Sequence, residues 1–185
     1  MHRSTAQLAK RVISQPCDVF INHKGIDTKR TIATLLYDYL SRLNLSPFLD
    51  NKTMKPGDKL FEKIDGAIHG CKKGVAVFSP NYCKSYFCLH ELALFMESKK
   101  KVIPIFCDVK PSQIRVPSKV VCKENEHQRF SWALEEPKHT VGLSFNSFKG
   151  CRSDMGVLSG PTCGRQFIAG AAQTLGSQPQ CVKVQ

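Results

Sequence analysis

One stretch near the middle of the chain combines an acidic and an aromatic residue at a spacing that suits chemistry. Glu91 lies in an otherwise apolar run, residues 87–96, and Phe87 precedes it by four positions. On a helix, this spacing places both side chains on one face. A carboxylate held there can stabilise positive charge that develops in a reaction, and the ring can stack on a planar base. Two plainer interpretations stay open, namely a solvated glutamate and ordinary helix packing by Phe87.

The elements that must position these residues alternate between short apolar strands and amphipathic helices. Strands are predicted at residues 17–21, 45–49, 75–78, 102–106 and 141–145. Helices are predicted at residues 29–43, 59–69, 83–98 and 124–136, with Pro137 ending the last one. A polar turn at 22–25, a polar loop at 50–58 and an irregular crossover at 108–123 connect them.

This alternation predicts the fold class. Short, almost wholly apolar strands are typical of a parallel sheet that is covered on both faces. We therefore expect an α/β protein with a flavodoxin-like, doubly wound, five-stranded parallel sheet, whose ligand crevice lies beyond the carboxyl ends of the strands. The predicted organisation is a flexible basic arm over residues 1–15, one domain over 16–149, and an irregular, mostly disordered tail over 150–185.

Composition excludes several classes of protein. The 185 residues suffice for one domain with tails, and 42% hydrophobic and 23% charged residues are near the globular average. The net charge of +12 divides into +3 before residue 17, +7 over residues 17–150 and +2 after them. Because no segment concentrates it, the charge suits an anionic ligand and general solubility better than a dedicated DNA groove.

The nine cysteines predict free thiols rather than a disulfide framework or a metal site. Their number is odd, and no pair has the Cys-x-x-Cys spacing of zinc and redox sites. The N-terminal residues lack the apolar core of a secretory signal, although they weakly resemble a transit peptide. No run approaches the roughly 18 apolar residues of a membrane span. We expect a soluble protein of the cytoplasm, with the nucleus as a further location.

Five ordered motifs resemble the Toll/interleukin-1 receptor (TIR) domain of plants, over about residues 16–149. The first strand and its turn read CDVFINHKGIDT at 17–28, and the segment 79–92 reads SPNYCKSYFCLHEL. The remaining motifs lie at residues 48–50 with 56–58, at 102–109 and at 132–136. No nucleotide-binding switch domain or leucine-rich repeat follows them, so the resemblance favours a TIR-only protein.

The resemblance implies an enzyme of plant innate immunity. Plant TIR domains cleave NAD⁺ between nicotinamide and ribose and generate nucleotides that signal resistance and cell death. NAD⁺ would be the substrate, with no separate cofactor and no metal. Nicotinamide leaves from an already cationic ring, so no general acid is needed, and a carboxylate can stabilise the oxocarbenium-like sugar. Glu91 matches the family's catalytic position, and Phe87 stands where the family usually has tryptophan.

The same resemblance assigns five more residues to substrate binding. The turn at residues 23–25 reads His-Lys-Gly here, where plant relatives usually have Phe-Arg-Gly. His23 can stack, Lys24 keeps a positive charge without a guanidinium fork, and Gly25 permits close approach to the backbone. Ser79 and Tyr82 are expected to face the same crevice from the end of the third strand. For Lys24 and Tyr82, a plain surface position is an equally good interpretation.

The sequence also departs from the family at surfaces used for assembly. Thr34-Leu35 stands where a Ser-His pair usually contributes to self-association, and residues 149–151 replace the start of the family's last helix. We therefore expect that the final helix is missing or altered and that assembly through this surface changes. Residues 51–58 match the family's mobile BB loop, with Pro56-Gly57 as a hinge.

Three function classes follow. The first is an NAD⁺ glycohydrolase of the ADP-ribosyl cyclase/hydrolase type that is active on self-association, with NADP⁺ or ATP as further substrates. The second is a non-catalytic adaptor that acts by homotypic TIR–TIR association. The third, which the spread charge makes the least favoured, is nucleic-acid binding through the basic surface. No membrane partner is expected.

Overall fold

A five-stranded parallel sheet forms the centre of the molecule. The computed structural model describes residues 17–118, 123–146, 151–153 and 156–158, together with residues 168, 170 and 171. The strands lie side by side in the order β2-β1-β3-β4-β5. They are Val19–His23 (β1), Pro47–Phe48 (β2), Lys73–Phe78 (β3), Lys101–Cys107 (β4) and Leu143–Phe145 (β5). This order confirms the predicted doubly wound sheet, whose direction of winding reverses between β1 and β3.

Over the described residues 17–146, six α-helical segments connect and cover the strands. They are Gly25–Thr28 (α1), Thr34–Arg42 (α2), Asp50–Thr53 (α3), Leu60–Gly70 (α4), Tyr86–Glu97 (α5) and Glu124–His139 (α6). Short 3-10 turns at Tyr82–Lys84 and Pro111–Gln113 complete the connections. A second, antiparallel pair of strands joins Cys151–Ser153 (β6) to Gly156–Leu158 (β7). Among the described residues, no helix has the length and apolar character to cross a membrane.

The predicted first helix is broken where hydroxyl side chains compete with the backbone. Thr31 has φ −125° and ψ −109°, outside helical values, within the irregular segment Lys29–Ala33. Its hydroxyl donates to the carbonyl of Thr28, and the hydroxyl of Thr34 donates to that of Lys29. Such bonds offer the backbone an alternative to the regular helix, so the long regular helix begins only at Thr34.

The end of α6 also differs from the prediction. Pro137 does not end the helix, which continues to His139. Because a proline lacks only its own amide donor, it costs one hydrogen bond near a helix end while the following residues can stay helical. Pro137 is buried, and the Thr140 hydroxyl donates to the carbonyl of Glu136 at 2.8 Å. Both contacts favour the additional residues of the helix.

Two apolar layers sandwich the sheet and fix the positions of the helices. One layer packs α4, α5 and α6 against the sheet through buried residues such as Ile64, Leu89 and Phe130. The other packs α2 against the opposite face, and Ile168 and Ala171 are buried in it. This two-sided burial is the reason that the strands carry apolar residues at nearly every position.

The domain boundaries predicted from the sequence stay predictions. The basic arm at 1–15 and residues 147–150, where the last helix of the family was expected to begin, lie outside the described residues. Most of the predicted tail at 150–185 lies outside them as well. Where the tail is described, it contains the β6–β7 pair and helical residues at 168, 170 and 171 rather than irregular chain alone.

Candidate functional site

The carboxyl ends of β1 and β3 form the crevice at which the winding of the sheet reverses. His23 ends β1 and pairs in register with Val77, one residue before the end of β3. The chain leaves β1 through α1 towards the α2 side, whereas it leaves β3 towards α5 on the opposite side. Diverging connections of this kind leave a groove beyond the strand ends, where doubly wound proteins bind ligands.

Glu91 occupies an environment that opposes its ionisation. Its pKa is raised to about 8, chiefly by burial and in smaller part by repulsion from the carboxylates of Asp50 and Asp65. The residue keeps part of its surface exposed. Among the described residues, the charged groups that shift its pKa are these two acids, and none of them is a cation. This environment differs from that of a fully solvated glutamate, whose pKa stays near its ordinary value of 4.5.

Asp65 directs one of its carboxylate oxygens towards His90, the neighbour of Glu91, although its side chain as a whole stays 40% exposed. Its Oδ1 lies 3.6 Å from Nε2 of His90, and both atoms are buried. The other ring nitrogen of His90 lies 3.2 Å from Nη1 of Arg129. Because a guanidinium can only donate, Nδ1 of His90 is the acceptor, and a neutral ring carries its proton on Nε2, towards Asp65. Arg129 is fixed in turn by Glu97, which accepts from its Nη2 at 2.8 Å.

Two exposed aromatic rings lie beside this acidic group. Phe87 is 44% exposed on α5, so the helix packing that the sequence also allowed buries only part of its ring. Phe61 on α4 is 47% exposed, and the two rings stack with centroids 5.5 Å apart and planes 29° apart. Phe61 also meets the ring of His90 edge-on at 5.8 Å. The two rings form an open apolar surface one helical turn before Asp65 and Glu91.

His23 links the end of β1 to the segment after β2. The residue predicted to lie in a polar turn belongs to the strand and is only 8% exposed. Its Nδ1 lies 3.2 Å from the Thr28 hydroxyl, and its Nε2 lies 3.4 Å from Oδ1 of Asp50. Its ring is thus engaged within the protein on both sides. The stacking of His23 on a ligand that the sequence predicted would require that its contacts with Thr28 and Asp50 break.

Tyr82 is placed in the core rather than in the crevice. The side chain is fully buried, and its hydroxyl accepts from Asn22 Nδ2 at 2.8 Å and donates to the Cys88 carbonyl at 3.3 Å. Asn22 Nδ2 also donates to that carbonyl, at 3.0 Å. Direct contact between Tyr82 and a ligand is therefore not available in this conformation. Its contacts instead tie the end of β1 to the first turn of α5, the helix that carries Glu91.

Ser79 is also directed into the protein. Its hydroxyl donates to Asp27 Oδ2 at 2.6 Å, and the same carboxylate accepts from the Asn81 amide and side chain, both at 2.8 Å. Burial opposes ionisation of Asp27, but the bonds from Asn81 and Ser79 outweigh it and lower the pKa of Asp27. This network joins α1 to the loop after β3. Ser79 thus supports the crevice wall instead of presenting its hydroxyl to a ligand.

Lys24 and Gly25 are the expected binding residues that remain accessible. Both are half-buried, directly after β1. A side chain at Gly25 would meet no atom within 4 Å, so the space above its backbone is open. Lys24 lies close enough to Asp27 to help to lower its pKa. The geometry accordingly groups Glu91, Phe87, Lys24 and Gly25 as side chains or backbone that a ligand can reach.

A separate cavity of about 250 Å³ lies beyond the ends of β3 and β4. Its walls include Phe78, Ser79, Cys83 and Ile114, and neither Glu91 nor Phe87 contributes to it. The five cysteines whose side chains are described, Cys17, Cys71, Cys83, Cys88 and Cys107, are free thiols. Burial raises the pKa of Cys83 to about 11. Within the described residues, no three histidine, cysteine or acidic side chains are grouped as metal ligands would be.

The sequence profile of the TIR domain matches residues 17–148. The chain belongs to the TIR domain family. It is 50% identical over 142 residues to "Probable 2' cyclic ADP-D-ribose synthase BdTIR" of Brachypodium distachyon, an alignment that covers 75% of this chain and 63% of that protein. It is 36% identical over 123 residues to TMV resistance protein N of Nicotiana glutinosa, over 64% of this chain and 10% of that protein. The chain thus spans less than two thirds of the length of both relatives.

A solved structure supports the same membership. The TIR domains of the activated Roq1 resistosome, which directly recognises the pathogen effector XopQ, align with a TM-score of 0.71 and 25% sequence identity. The alignment covers 86% of this chain and 99% of that chain. The TIR fold predicted from the motifs is therefore confirmed. Thr34 and Leu35, the departure expected to change assembly, lie half-buried at the start of α2, and their effect stays a prediction.

Sequence reasoning did not find five residues that shape this TIR site. They are Asn22, Asp27, Asp50, Phe61 and Asp65. Asn22 and Asp27 fall inside the quoted first motif, so their polar side chains after an apolar strand were an available signal. Asp50 lies at the start of α3, and Phe61 and Asp65 lie on α4, all far from Glu91 along the chain. Only the tertiary fold, including the packing of α4 on α5, brings them near Glu91.

Proposed function

We propose that this TIR domain is an NAD⁺-cleaving enzyme and that Glu91 is its catalytic residue. The observation that carries the proposal is the carboxylate of Glu91, which is largely withdrawn from water and has its pKa raised to about 8. Strongly shifted carboxylates beside an open groove are typical of catalytic sites. The 50% identity to a probable cyclic ADP-ribose synthase supports NAD⁺ as the substrate.

The reaction would proceed through loss of nicotinamide. The bond between the pyridinium nitrogen and C1′ of the ribose breaks, and its electron pair neutralises the ring as nicotinamide leaves. Positive charge then develops on the sugar, and the ionised carboxylate of Glu91 stabilises it through space. Attack on C1′ by water gives hydrolysis, and attack by another hydroxyl of the same molecule gives a cyclic product. The proposal covers both outcomes.

The raised pKa of Glu91 fits a cationic substrate. At neutral pH a carboxyl group with a pKa of about 8 is mostly protonated, so it does not bind stray cations strongly. A positive pyridinium close to it favours the ionised form and lowers its pKa. Binding of the substrate would thus ionise Glu91, and the resulting carboxylate lies next to the positive charge of the pyridinium.

The proposed biological role is signalling in plant innate immunity and cell death. The resistance proteins among the relatives support this role, and BdTIR supports a cyclic ADP-ribose as one product. We further propose that self-association activates the domain, supported by its likeness to the TIR domains of the Roq1 resistosome. The use of NADP⁺ or ATP, binding of nucleic acid and a cytoplasmic or nuclear location stay predictions.

The direct test is nicotinamide release from NAD⁺ by purified, concentrated protein. We expect release by the wild type and none by Glu91→Ala. Glu97→Ala is a matched control, because Glu97 lies on the same helix but pairs with Arg129. Equal release by the wild type and Glu91→Ala would overturn the assignment of Glu91.

A second candidate function, the non-catalytic adaptor, has one observation in its favour. His23, Ser79 and Tyr82, three of the residues expected to hold substrate, are buried and engaged within the protein. An adaptor would associate with other TIR domains and release no nicotinamide at any concentration. The two candidates therefore differ in the same assay, with association measured in parallel.

A further inference from the structure

Two neighbouring helices repeat the same pair of side chains in matching positions. On α5, Phe87 is followed four residues later by Glu91, and on α4, Phe61 is followed four residues later by Asp65. Both helices precede a strand of the parallel sheet, so they run in the same direction. The rings of Phe61 and Phe87 stack on each other. His90 of α5 contacts both members of the α4 pair, because its ring is perpendicular to Phe61 and its Nε2 lies 3.6 Å from Oδ1 of Asp65. The result is a two-ring surface bordered by two carboxyl groups.

We propose that Phe61 is a specificity-determining residue of this site and that Phe61 and Phe87 together receive the pyridinium ring of oxidised nicotinamide nucleotides. The inference rests on the proposed function and adds a substrate class to it. Phe61 belongs to α4, outside the motif that carries Glu91, and no sequence motif pointed to it.

Exposure of the rings is the first observation in favour. Phe61 and Phe87 are each nearly half exposed, even though their rings stack on each other. Exposed apolar surface next to polar groups is a feature of ligand-binding sites. A planar ring that stacks on the outer face of one of the two phenyl rings would extend the offset stack that they already form.

Charge selects the kind of ring. The face of a phenyl ring attracts a cation, so a pyridinium gains more from this surface than neutral adenine does. Asp65 and Glu91 each lie one helical turn after a phenylalanine, on the same face of its helix. Ionisation of either carboxyl group adds to the attraction for a cationic ring. When the glycosidic bond breaks, nicotinamide becomes neutral and loses this attraction, so the same surface favours release of the product.

The consequence is discrimination by oxidation state and by fragment. The reduced dihydronicotinamide ring is neutral and not aromatic, so NADH should bind more weakly than NAD⁺. Nicotinamide mononucleotide keeps the pyridinium and should depend on Phe61 as NAD⁺ does. ADP-ribose lacks the pyridinium, so its binding should not depend on Phe61.

The experiment measures binding without turnover, by calorimetric titration of a Glu91→Gln background with NAD⁺, nicotinamide mononucleotide, NADH and ADP-ribose. Phe61→Leu keeps apolar volume but removes the ring, and it should weaken NAD⁺ and the mononucleotide about fivefold or more. Phe61→Tyr should restore their binding. Leu60→Ala is the matched control, because Leu60 is a similarly exposed neighbour on α4 that takes no part in the ring contacts.

Each outcome decides the proposal. It is overturned if Phe61→Leu binds NAD⁺ as tightly as its parent, or if ADP-ribose loses as much affinity as NAD⁺, which would place adenine on the rings. It is also overturned if Leu60→Ala has the same effect, because the loss would then be general. If the wild type neither binds nor cleaves NAD⁺, the proposed function itself fails. If cleavage persists while the Phe61 effects are absent, only the role of Phe61 fails.

Discussion

Nε2 of His23 lies 3.4 Å from Oδ1 of Asp50, so the last residue of β1 is joined to the first residue of the segment that leads into the BB loop. The same Asp50 raises the pKa of Glu91 on α5. One carboxylate therefore connects a strand end, a loop and the proposed catalytic residue. A change at the base of the loop is expected to be felt electrostatically at Glu91.

Removal of either neighbouring carboxylate should shift the pH dependence of the reaction. Asp50→Asn and Asp65→Asn each take away a repulsion that opposes ionisation of Glu91, so each should lower its pKa. Since the ionised form is the reactive one, kcat/KM rises with pH towards the Glu91 pKa and then levels off. The midpoint of that rise should move to lower pH in both variants.

The matched control is Asp38→Asn, which removes a surface carboxylate paired with Lys52 at 3.2 Å. It should leave the midpoint in place. A midpoint that stays unchanged or moves to higher pH in both Asp50→Asn and Asp65→Asn would show that these groups do not act on Glu91.

Glu91 should reduce the stability of the protein at neutral and alkaline pH. Its pKa in the folded protein, about 8, lies above its ordinary value of 4.5, so the folded state holds this proton more tightly than the unfolded state does. The resulting stabilisation is complete below pH 4.5 and is lost as the pH rises through 8. Glu91→Gln should therefore be more stable than the wild type at pH 7, by about 3 kcal/mol at most.

Thermal unfolding at several pH values measures this effect. The Tm of Glu91→Gln should exceed that of the wild type by up to about 10 °C at pH 7 and by much less at pH 4.5. Glu97→Gln should behave in the opposite way, because the hydrogen bond from Arg129 lowers the pKa of Glu97 and stabilises the fold above pH 4.5. A Glu91→Gln protein no more stable than the wild type at pH 7 would be inconsistent with a withdrawn carboxylate.

Tyr82→Phe should weaken the fold and leave substrate affinity intact. The substitution removes a fully buried hydroxyl that accepts from Asn22 and donates to the Cys88 carbonyl. Loss of such bonds costs about 1–3 kcal/mol of the free energy of unfolding, whereas the KM for NAD⁺ should not change. Tyr39→Phe is the control, because Tyr39 is half-buried on α2, away from this network. An increased KM of Tyr82→Phe for NAD⁺, with an unchanged free energy of unfolding, would indicate instead that Tyr82 contacts the substrate.

Gly25→Ala should separate binding from folding. The added methyl group meets no atom within 4 Å, so the free energy of unfolding should change by less than about 0.5 kcal/mol. The same methyl group would occupy part of the open space above Gly25, next to Lys24 in the chain, and should raise the KM for NAD⁺. At Gly142, by contrast, a Cβ atom would lie 2.6 Å from the carbonyl oxygen of Pro104. Gly142→Ala should therefore destabilise the fold by about 1–3 kcal/mol. A Gly25→Ala protein with unchanged KM would remove Gly25 from the site.

The fold was accessible from the sequence because its signals are local. Apolar runs such as residues 75–78 and 102–106 predict buried parallel strands, and these runs lie inside β3 and β4. The helix predicted at residues 83–98 contains α5, and the spacing of four residues then places Phe87 and Glu91 on one of its faces. Local chemistry was misjudged where packing overrides polarity, since Asn22 and His23 read as a turn but are buried in β1.

The environment of the site was not accessible in the same way. The spacing of Ser79 and Tyr82 after β3 does not reveal that Asp27 and Asn22 hold them towards the interior. The raised pKa of Glu91 arises from burial and from two acids 41 and 26 positions earlier in the chain. Burial of Glu91 and its repulsion by these acids depend on which helices pack together, and a single sequence does not reveal that packing.

The most direct test of the account compares nicotinamide release from NAD⁺ by the wild type and by Glu91→Gln, which keeps the size of the side chain but cannot ionise. Both proteins are assayed at the same high concentration and at pH 8, where about half of the wild-type carboxyl groups are ionised. The account predicts release by the wild type and at least about a hundredfold less by Glu91→Gln, with Glu97→Gln retaining activity. Release by Glu91→Gln at the wild-type rate, from protein shown to be folded, would contradict it.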